Sequence, residues 1–366
     1  MRIYQYTTIG ILKKIGFLIF YLITIIVLTI FLLEIFYYFL FPKKSIYFFE
    51  NRYMLFSSDK NNSVFDNKKN FFLFYPDQKH KRKGYFLIKN KWLKEYDYSF
   101  KTNNLGFVQN KNIYEKHPSI LFLGDSYLEG QGAEPWFNEF EKIYQYKNYQ
   151  LINGGFLGTG FQQWYNLYIF LKEEKKIKIN KIVVFFISDD LDRGVFQLDT
   201  NTLNCVKNYN TCSGYEGFYG MPNDNNLENF LNKLSNVRNG NRLVNRNFRE
   251  QIKKFFPGIT YVYSISRSRI ERKKNEEVIK KLIDEFQTNI VFVHISTKSE
   301  LYLNTFEANS KKISKIIIDS KGNYIDGFKK CSLTKEDYSD YDGHPNKNGY
   351  RKMYFCLNDI LRQTLH

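Results

Sequence analysis

Four cysteines in 366 residues are too few for a disulfide-built scaffold, and they include no CxxC pair and have no histidine cluster beside them. That spacing argues against a structural zinc site. The sequence also lacks an internal repeat, a low-complexity stretch and any cofactor-binding motif, which leaves an ordinary globular chain with no cofactor or metal expected. Acidic residues are in short supply: 37 Asp and Glu face 54 Lys and Arg, a formal net charge of +17. An anionic partner is one reading of that excess. The other is that Lys, Asn, Ile, Phe and Tyr are abundant together, as a coding bias would produce. No RNA- or DNA-binding motif accompanies the charge, so nucleic acid is set aside.

What is present begins with a long apolar run. Gly16 to Leu40, "GFLIFYLITIIVLTIFLLEIFYYFL", contains one charged residue, Glu34. About 20 helical residues cross a bilayer core, so this stretch predicts a transmembrane helix over 16–41 after a short cytoplasmic segment, 1–15. It is too long for a signal peptide, and no small-residue cleavage site follows it. Tyr37 and Tyr38 suit the interfacial belt. Lys13 and Lys14 before the span are balanced by Lys43 and Lys44 after it, so orientation needs another argument. The cysteines provide it. Cys205 with Cys212, and Cys331 with Cys356, read as two local disulfides and hence an oxidising compartment. A buried Cys356 thiol on a helix face is the alternative. The reading is N-in, C-out: a single-pass protein of a bacterial inner membrane, its C-terminal part facing the periplasm or exterior.

Residues 42–115 read as a linker and small β-rich preface, with short strands at "FFLFYP", "YFLIKN" and "YSFKTNNLGF". The basic run Lys79 to Lys83, "KHKRK", reads as a solvated or anion-facing turn. From 116 to 366 apolar strands alternate with helices: "SILFLGD", "YQLINGG", "KIVVFFIS" and "NIVFVHIS" against "FNEFEKIYQYK", "GFQQWYNLYIFLKEEKK", "RIERKKNEEVIKKLIDEFQ" and a last helix from Asn346 to about Leu365. A polar insertion occupies about 195–265. Such alternation predicts a parallel α/β sheet with right-handed crossovers, whose ligands sit at the carboxyl ends of the strands.

The residues at those ends carry chemistry. Asp125 and Ser126 follow the first strand; Asn153, Gly155 and Gly158 the second; Ser188, Asp189 and Asp190 the third. Asp340, Asp342 and His344 precede the last helix. A serine, a histidine and a carboxylate converging there would suit nucleophilic acyl transfer, with glycine N–H groups facing the oxyanion. Ser126 could instead cap a helix. His294, mid-strand among apolar residues, reads as a core histidine. His80 and His117 read as surface residues, and Gly130 and Gly132 as turn formers.

Three blocks carry a family resemblance. "LFLGDSYLEGQG", "INGGFLGTGFQQ" and "DGHPNKNGY" resemble, in order, blocks of the SGNH (GDSL-like) hydrolases, over about 118–366. "TNNLGF" resembles the segment that precedes the first block in membrane-anchored members. The resemblance implies a three-layer α/β/α flavodoxin-like parallel sheet, with Ser126 as nucleophile, His344 as base and an oxyanion donor at Gly158. Two positions depart from the pattern. Asp189 stands where the family offers an Asn amide to the oxyanion, and an ionised Asp cannot donate a hydrogen bond; either Asp189 is protonated in a buried site, or Ser188 or a backbone group takes over, or the pocket is altered, or Asp189 is structural, capping the next helix or pairing with Arg193. Tyr341 stands where the carboxylate usually sits, so Asp342 is assigned its role with Asp340 in reserve. The implied activity is a serine esterase or O-acyltransferase working on acyl, chiefly acetyl, esters of envelope or exported polysaccharide, served as a transferase by an acyl-donor membrane protein. A non-catalytic polysaccharide-binding or assembly protein is the alternative. A lipase ranks lower, because the insertion is too polar for an apolar lid.

Overall fold

The computed structural model describes residues 2–40, 54–57, 63–66, 70–88, 91–144, 148–195, 200, 204 and 256–364. The chain divides into two compact units, Met1–Glu50 with Asn236–Arg267, and Asn51–Ser235 with Ser268–His366.

In the first unit, helix α1 (Arg2–Leu40) is continuous from the second residue, so the expected separate segment 1–15 is helical as well. Its stretch Lys14–Phe36 is long and apolar enough to cross a membrane. Side chains such as Phe17, Phe20 and Phe31 stand exposed along it. The one acidic residue of the run has a defined partner. Glu34 accepts hydrogen bonds from the N–H groups of Gly258, at 2.8 Å, and Ile259, at 3.0 Å. These are orphan donors in the first turn of helix α5 (Pro257–Phe286). That helix begins inside the stretch expected as polar insertion. The remainder of the insertion, from 205 to 255, and with it Cys205 and Cys212, lies outside the described residues.

The second unit is built on five parallel strands: β6 (Ser119–Gly124), β7 (Gln150–Gly155), β8 (Ile179–Phe186), β9 (Ile290–His294) and β10 (Asn323–Asp326). Their spatial order is β10–β9–β8–β6–β7. Numbered within the sheet this is the flavodoxin-like order 2-1-3-4-5, with its switch point between β6 and β8. The chain therefore has the α/β fold expected from its alternation. Side-chain alternation loads both faces of the sheet. Ile120 and Phe122 of β6, Val183 and Phe185 of β8, and Val291 and Val293 of β9 face one layer. That layer holds helices α3 (Phe137–Ile143) and α9 (Lys347–Thr364), which bring Phe137, Phe140, Met353 and Leu357. Leu121, Leu123, Ile182, Val184 and Phe292 face the other. There α4 (Phe161–Glu173), α5 and α7 (Ala308–Asp319) bring Trp164, Leu167, Leu282 and Ile313. Both faces are covered, so the strands are apolar throughout.

At the β7 edge, Gln109 takes the place of a further strand. Its Oε1 accepts from the Asn153 N–H at 2.7 Å and its Nε2 donates to the Leu151 carbonyl at 3.0 Å. On the opposite edge, β10 is four residues long and half polar. With α6 (Lys298–Leu303) and α7 it forms a stretch that periodicity did not predict.

The preface is antiparallel. Strands β1 (Met54–Ser57), β4 (Lys79–Ile88) and β5 (Lys91–Lys101) form one sheet, and β2 (Ser63–Asp66) pairs with β3 (Phe71–Phe74). This corrects the reading of "KHKRK" as a solvated turn, and of His80 as a surface residue. The run is the start of β4, and strand alternation turns His80 and Arg82 inward, where both are buried. The His80 ring stacks on Phe100 at 5.0 Å between centroids, and the Arg82 guanidinium lies 5.3 Å from the same ring. Apolar packing and an ion pair, described below, keep these polar groups out of water.

Candidate active site

Strand β6 ends at Gly124, and the chain turns at once into α2 (Ser126–Glu129). Asp125, not Ser126, is the N-cap: its carboxylate accepts the Tyr127 N–H at 2.9 Å. Ser126 is thus released from capping and begins the helical turn. Gly155 permits this close approach, since a Cβ there would come within 2.5 Å of the Glu129 backbone nitrogen.

His344 comes from the loop before α9. Its Nε2 lies 2.7 Å from Ser126 Oγ. Ser126 Oγ is also 3.3 Å from Asp125 Oδ2. One hydroxyl proton serves one acceptor at a time, and the shorter approach is to histidine. On the other side of the ring, Nδ1 stands 3.0 Å from Asp342 Oδ1. That contact is close but poorly aligned for a hydrogen bond, as is common before substrate tightens such a site. The Asp342 side chain is 1% exposed and that of His344 15%. The reserve carboxylate, Asp340, is exposed, and its backbone carbonyl accepts from Lys298 Nζ at 3.2 Å. The structure therefore brings Ser126, His344 and Asp342 together and leaves Asp340 outside the group.

The loop is fixed from several directions. The Tyr127 ring packs 5.1 Å from the His344 ring, and its hydroxyl donates to the Gly343 carbonyl at 3.0 Å. A disulfide joins Cys331, beside helix α8 (Gly327–Lys330), to Cys356 on α9. It closes the segment that contains Asp342 and His344. The alternative of a buried Cys356 thiol is set aside in favour of the bridge.

Gly158 lies in the turn after β7 with φ +72°, a conformation natural to glycine. Neither its N–H nor that of Ser126 donates to a protein acceptor among the described residues. Two backbone donors are thus free where a developing negative charge could be met. Asp189 sits on the 3₁₀ turn Ser188–Leu191 after β8, is exposed, and makes no side-chain hydrogen bond among the described residues. The protein packed around its carboxylate raises its pKa; Arg193 opposes this, while Glu307 and Asp125 reinforce it. No ion pair joins Asp189 to Arg193 among the described residues. Arg193 Nη1 donates instead to Asp190 at 2.6 Å, Asp125 at 2.7 Å and the Thr159 carbonyl at 3.0 Å. Burial pushes the Asp190 carboxyl well above its ordinary range, against the pull of Arg193. No metal-binding group of His, Cys, Asp and Glu occurs among the described residues.

Solved structures similar to this chain include a lipase/acylhydrolase from Enterococcus faecalis, at 13% identity over 67% of this chain and 96% of that one, with a TM-score of 0.37. A catalytic mutant of an acetylxylan esterase from Geobacillus stearothermophilus is similar at 10% identity over 69% and 96%, TM-score 0.35. A protein from Lactobacillus plantarum is similar at 14% identity over 69% and 99%, TM-score 0.32. No family model and no curated protein matches the sequence.

Three contributors escaped the sequence reading: Gln131, Glu129 and Arg82. Gln131 Nε2 donates to Asp342 Oδ2 at 3.2 Å. Glu129, one helical turn beyond Ser126, forms a buried ion pair with Arg82. The signal available in sequence was a second carboxylate, Glu129, inside the short first block, which if buried needs a cationic partner from elsewhere. His294, as expected, is a core residue; it lies 3.1 Å from buried Glu300.

Proposed function

We propose that the protein is a membrane-anchored serine esterase or O-acyltransferase of the SGNH type. The observation that carries this reading is the 2.7 Å approach of His344 Nε2 to Ser126 Oγ, with Asp342 Oδ1 3.0 Å behind the ring. The group sits at the carboxyl ends of a parallel sheet beside its switch point, where α/β proteins place their ligands.

In this mechanism His344 takes the Ser126 proton as Oγ attacks the ester carbonyl. The oxygen of the tetrahedral intermediate accepts from the N–H groups of Ser126 and Gly158. His344 then passes the proton to the leaving alkoxide, and the acyl group remains on Ser126. Asp342 holds the imidazole tautomer and stabilises the imidazolium. Water as second acceptor completes hydrolysis, and a sugar hydroxyl completes transfer. The three-block resemblance favours acyl, chiefly acetyl, esters of envelope or exported polysaccharide as substrates, and as a transferase the protein would need an acyl-donor membrane protein. The apolar stretch Lys14–Phe36 and the Cys331–Cys356 disulfide support an anchor in the inner membrane with the second unit in an oxidising compartment.

Asp189 favours a second reading, a non-catalytic polysaccharide-binding or assembly module, because an ionised carboxylate there offers no donor. A fluorophosphonate probe separates the two. Full-length protein in detergent is expected to label and to hydrolyse a short-chain aryl ester, with both lost in Ser126→Ala. Absence of labelling and of hydrolysis above the Ser126→Ala and His344→Ala backgrounds would exclude the enzyme reading.

A further inference from the structure

Arg82 and Glu129 lie 47 residues apart, on the preface strand β4 and on the turn that begins with Ser126. Their side chains are 8% and 2% exposed. A buried ion pair is weak evidence of stabilisation, since removing two charges from water costs about what their attraction returns. Its geometry points to another use. One oxygen of Glu129, Oε1, meets Arg82 Nη1. The other, Oε2, accepts the backbone N–H of Leu157 at 2.8 Å.

Leu157 precedes Gly158 in a four-residue turn that closes from the Thr159 N–H to the Phe156 carbonyl at 3.3 Å. Gly158 holds the third position with φ +72°, as type II turns require. The central peptide of such a turn carries the Gly158 N–H on one side and the Leu157 carbonyl on the other. Type I and type II forms differ by a flip of that peptide. In the flipped form a carbonyl oxygen would face the place assigned to the oxyanion, replacing attraction by repulsion. Glu129 holds the turn at Leu157, and Arg193 Nη1 holds its far end through the Thr159 carbonyl at 3.0 Å. Arg82 keeps Glu129 in place from the preface, while packing 5.3 Å from the Phe100 ring and 5.9 Å from the Phe74 ring.

We infer that Glu129, held by Arg82, is a positioning residue that keeps the Gly158 N–H directed at the oxyanion, so that the preface is a working part of the ester-cleaving site. This rests on the acyl-transfer reading above.

Two double variants of the full-length protein test it. Arg82→Met with Glu129→Gln removes both charges but leaves an amide oxygen for the Leu157 N–H. Arg82→Met with Glu129→Leu removes that acceptor too. The Gln pair, whose acceptor Arg82 no longer holds in place, is expected to lose about threefold in kcat. The Leu pair is expected to lose about tenfold or more in kcat with KM nearly unchanged, the pattern of an interaction made in the transition state. Thermal unfolding checks that both fold. Equal kcat in the two folded variants, or a loss confined to KM, would overturn the inference. Amide hydrogen exchange of segment 156–159 gives a readout independent of activity. Slow exchange at Leu157 in wild type, quickened in the Leu pair alone, supports the inference. Fast exchange at Leu157 in wild type overturns it, whether or not any variant folds. Failure of the esterase reading shows differently, as wild-type protein without Ser126-dependent hydrolysis.

Discussion

Gln131 Nε2 donates to Asp342 Oδ2 at 3.2 Å, on the carboxylate oxygen that His344 does not use. The backbone carbonyl of Gln131 in turn accepts from the Tyr350 hydroxyl at 2.6 Å. Gln131, itself tied to α9, thereby holds Asp342 from the loop after α2, and the orientation of Asp342 toward the imidazole does not depend on the short contact to Nδ1 alone.

Gln131→Leu removes a hydrogen bond to a buried carboxylate. A loss of about tenfold in kcat, or ~1.4 kcal/mol, is expected, with KM little changed. Steady-state hydrolysis of an aryl ester measures it. Asp342→Asn is expected to cost far more, about three to four orders of magnitude, because the amide favours the wrong tautomer.

Asp189 sets the second prediction. Its pKa is raised, by the surrounding protein first and by Glu307 and Asp125, with Arg193 opposing. Protonated, it can donate to an oxyanion; ionised, it repels one. Activity of the wild type is therefore expected to fall as pH rises through the Asp189 pKa. Asp189→Asn should keep its activity through that range. A profile identical in the two proteins would remove Asp189 from the site.

Stability should respond to two groups with opposite signs. Burial, helped by Arg82, lowers the His80 pKa to about 4. The unfolded chain then binds more protons between the ordinary histidine value and 4, so stability is lost as pH falls through that window. Burial raises the Glu141 pKa to about 7, against Lys111. Here the folded chain binds more protons, so stability is present at low pH and is lost as pH rises toward 7. Each window is worth about 3 kcal/mol at most. Glu141→Gln is expected to raise the Tm at pH 8 and not at pH 4, and His80→Phe to raise it at pH 4 and not at pH 8.

The disulfide provides a redox prediction. Cys331 and Cys356 are 25 residues apart, and closing a loop of that size is worth about 3.5 kcal/mol of unfolded-chain entropy. The double variant Cys331→Ser with Cys356→Ser should lose stability of that order in a denaturant titration. It should also lose activity at temperatures where the remainder of the unit stays folded, because the segment released carries His344.

How far the sequence carried depended on range. "ILFL" and "VVFF" announce buried strands because both faces of the sheet are covered, so no polar alternation interrupts them. Ser126, Gly158 and His344 could be picked out because each sits in a short block with its own local pattern. Arg82 could not, since four of the five residues in "KHKRK" are Lys or Arg and such runs normally face water. Only the pairing of β4 with β5 decides which of them turn inward. Asp342 was chosen over Asp340 from sequence, and the loop's course places Asp342 beside the His344 ring; β10 was hidden because four residues with a polar start carry no period.

Gln109 has a consequence beyond the sheet it completes. An outer strand with free amides invites a second copy of the molecule to dock and propagate a ribbon. The chain occupies the middle of β7 with one side-chain amide, which matches both backbone partners and cannot extend further. Gln109→Ala would uncover this part of the edge, and self-association in a light-scattering trace of the detergent-solubilised protein is the expected result.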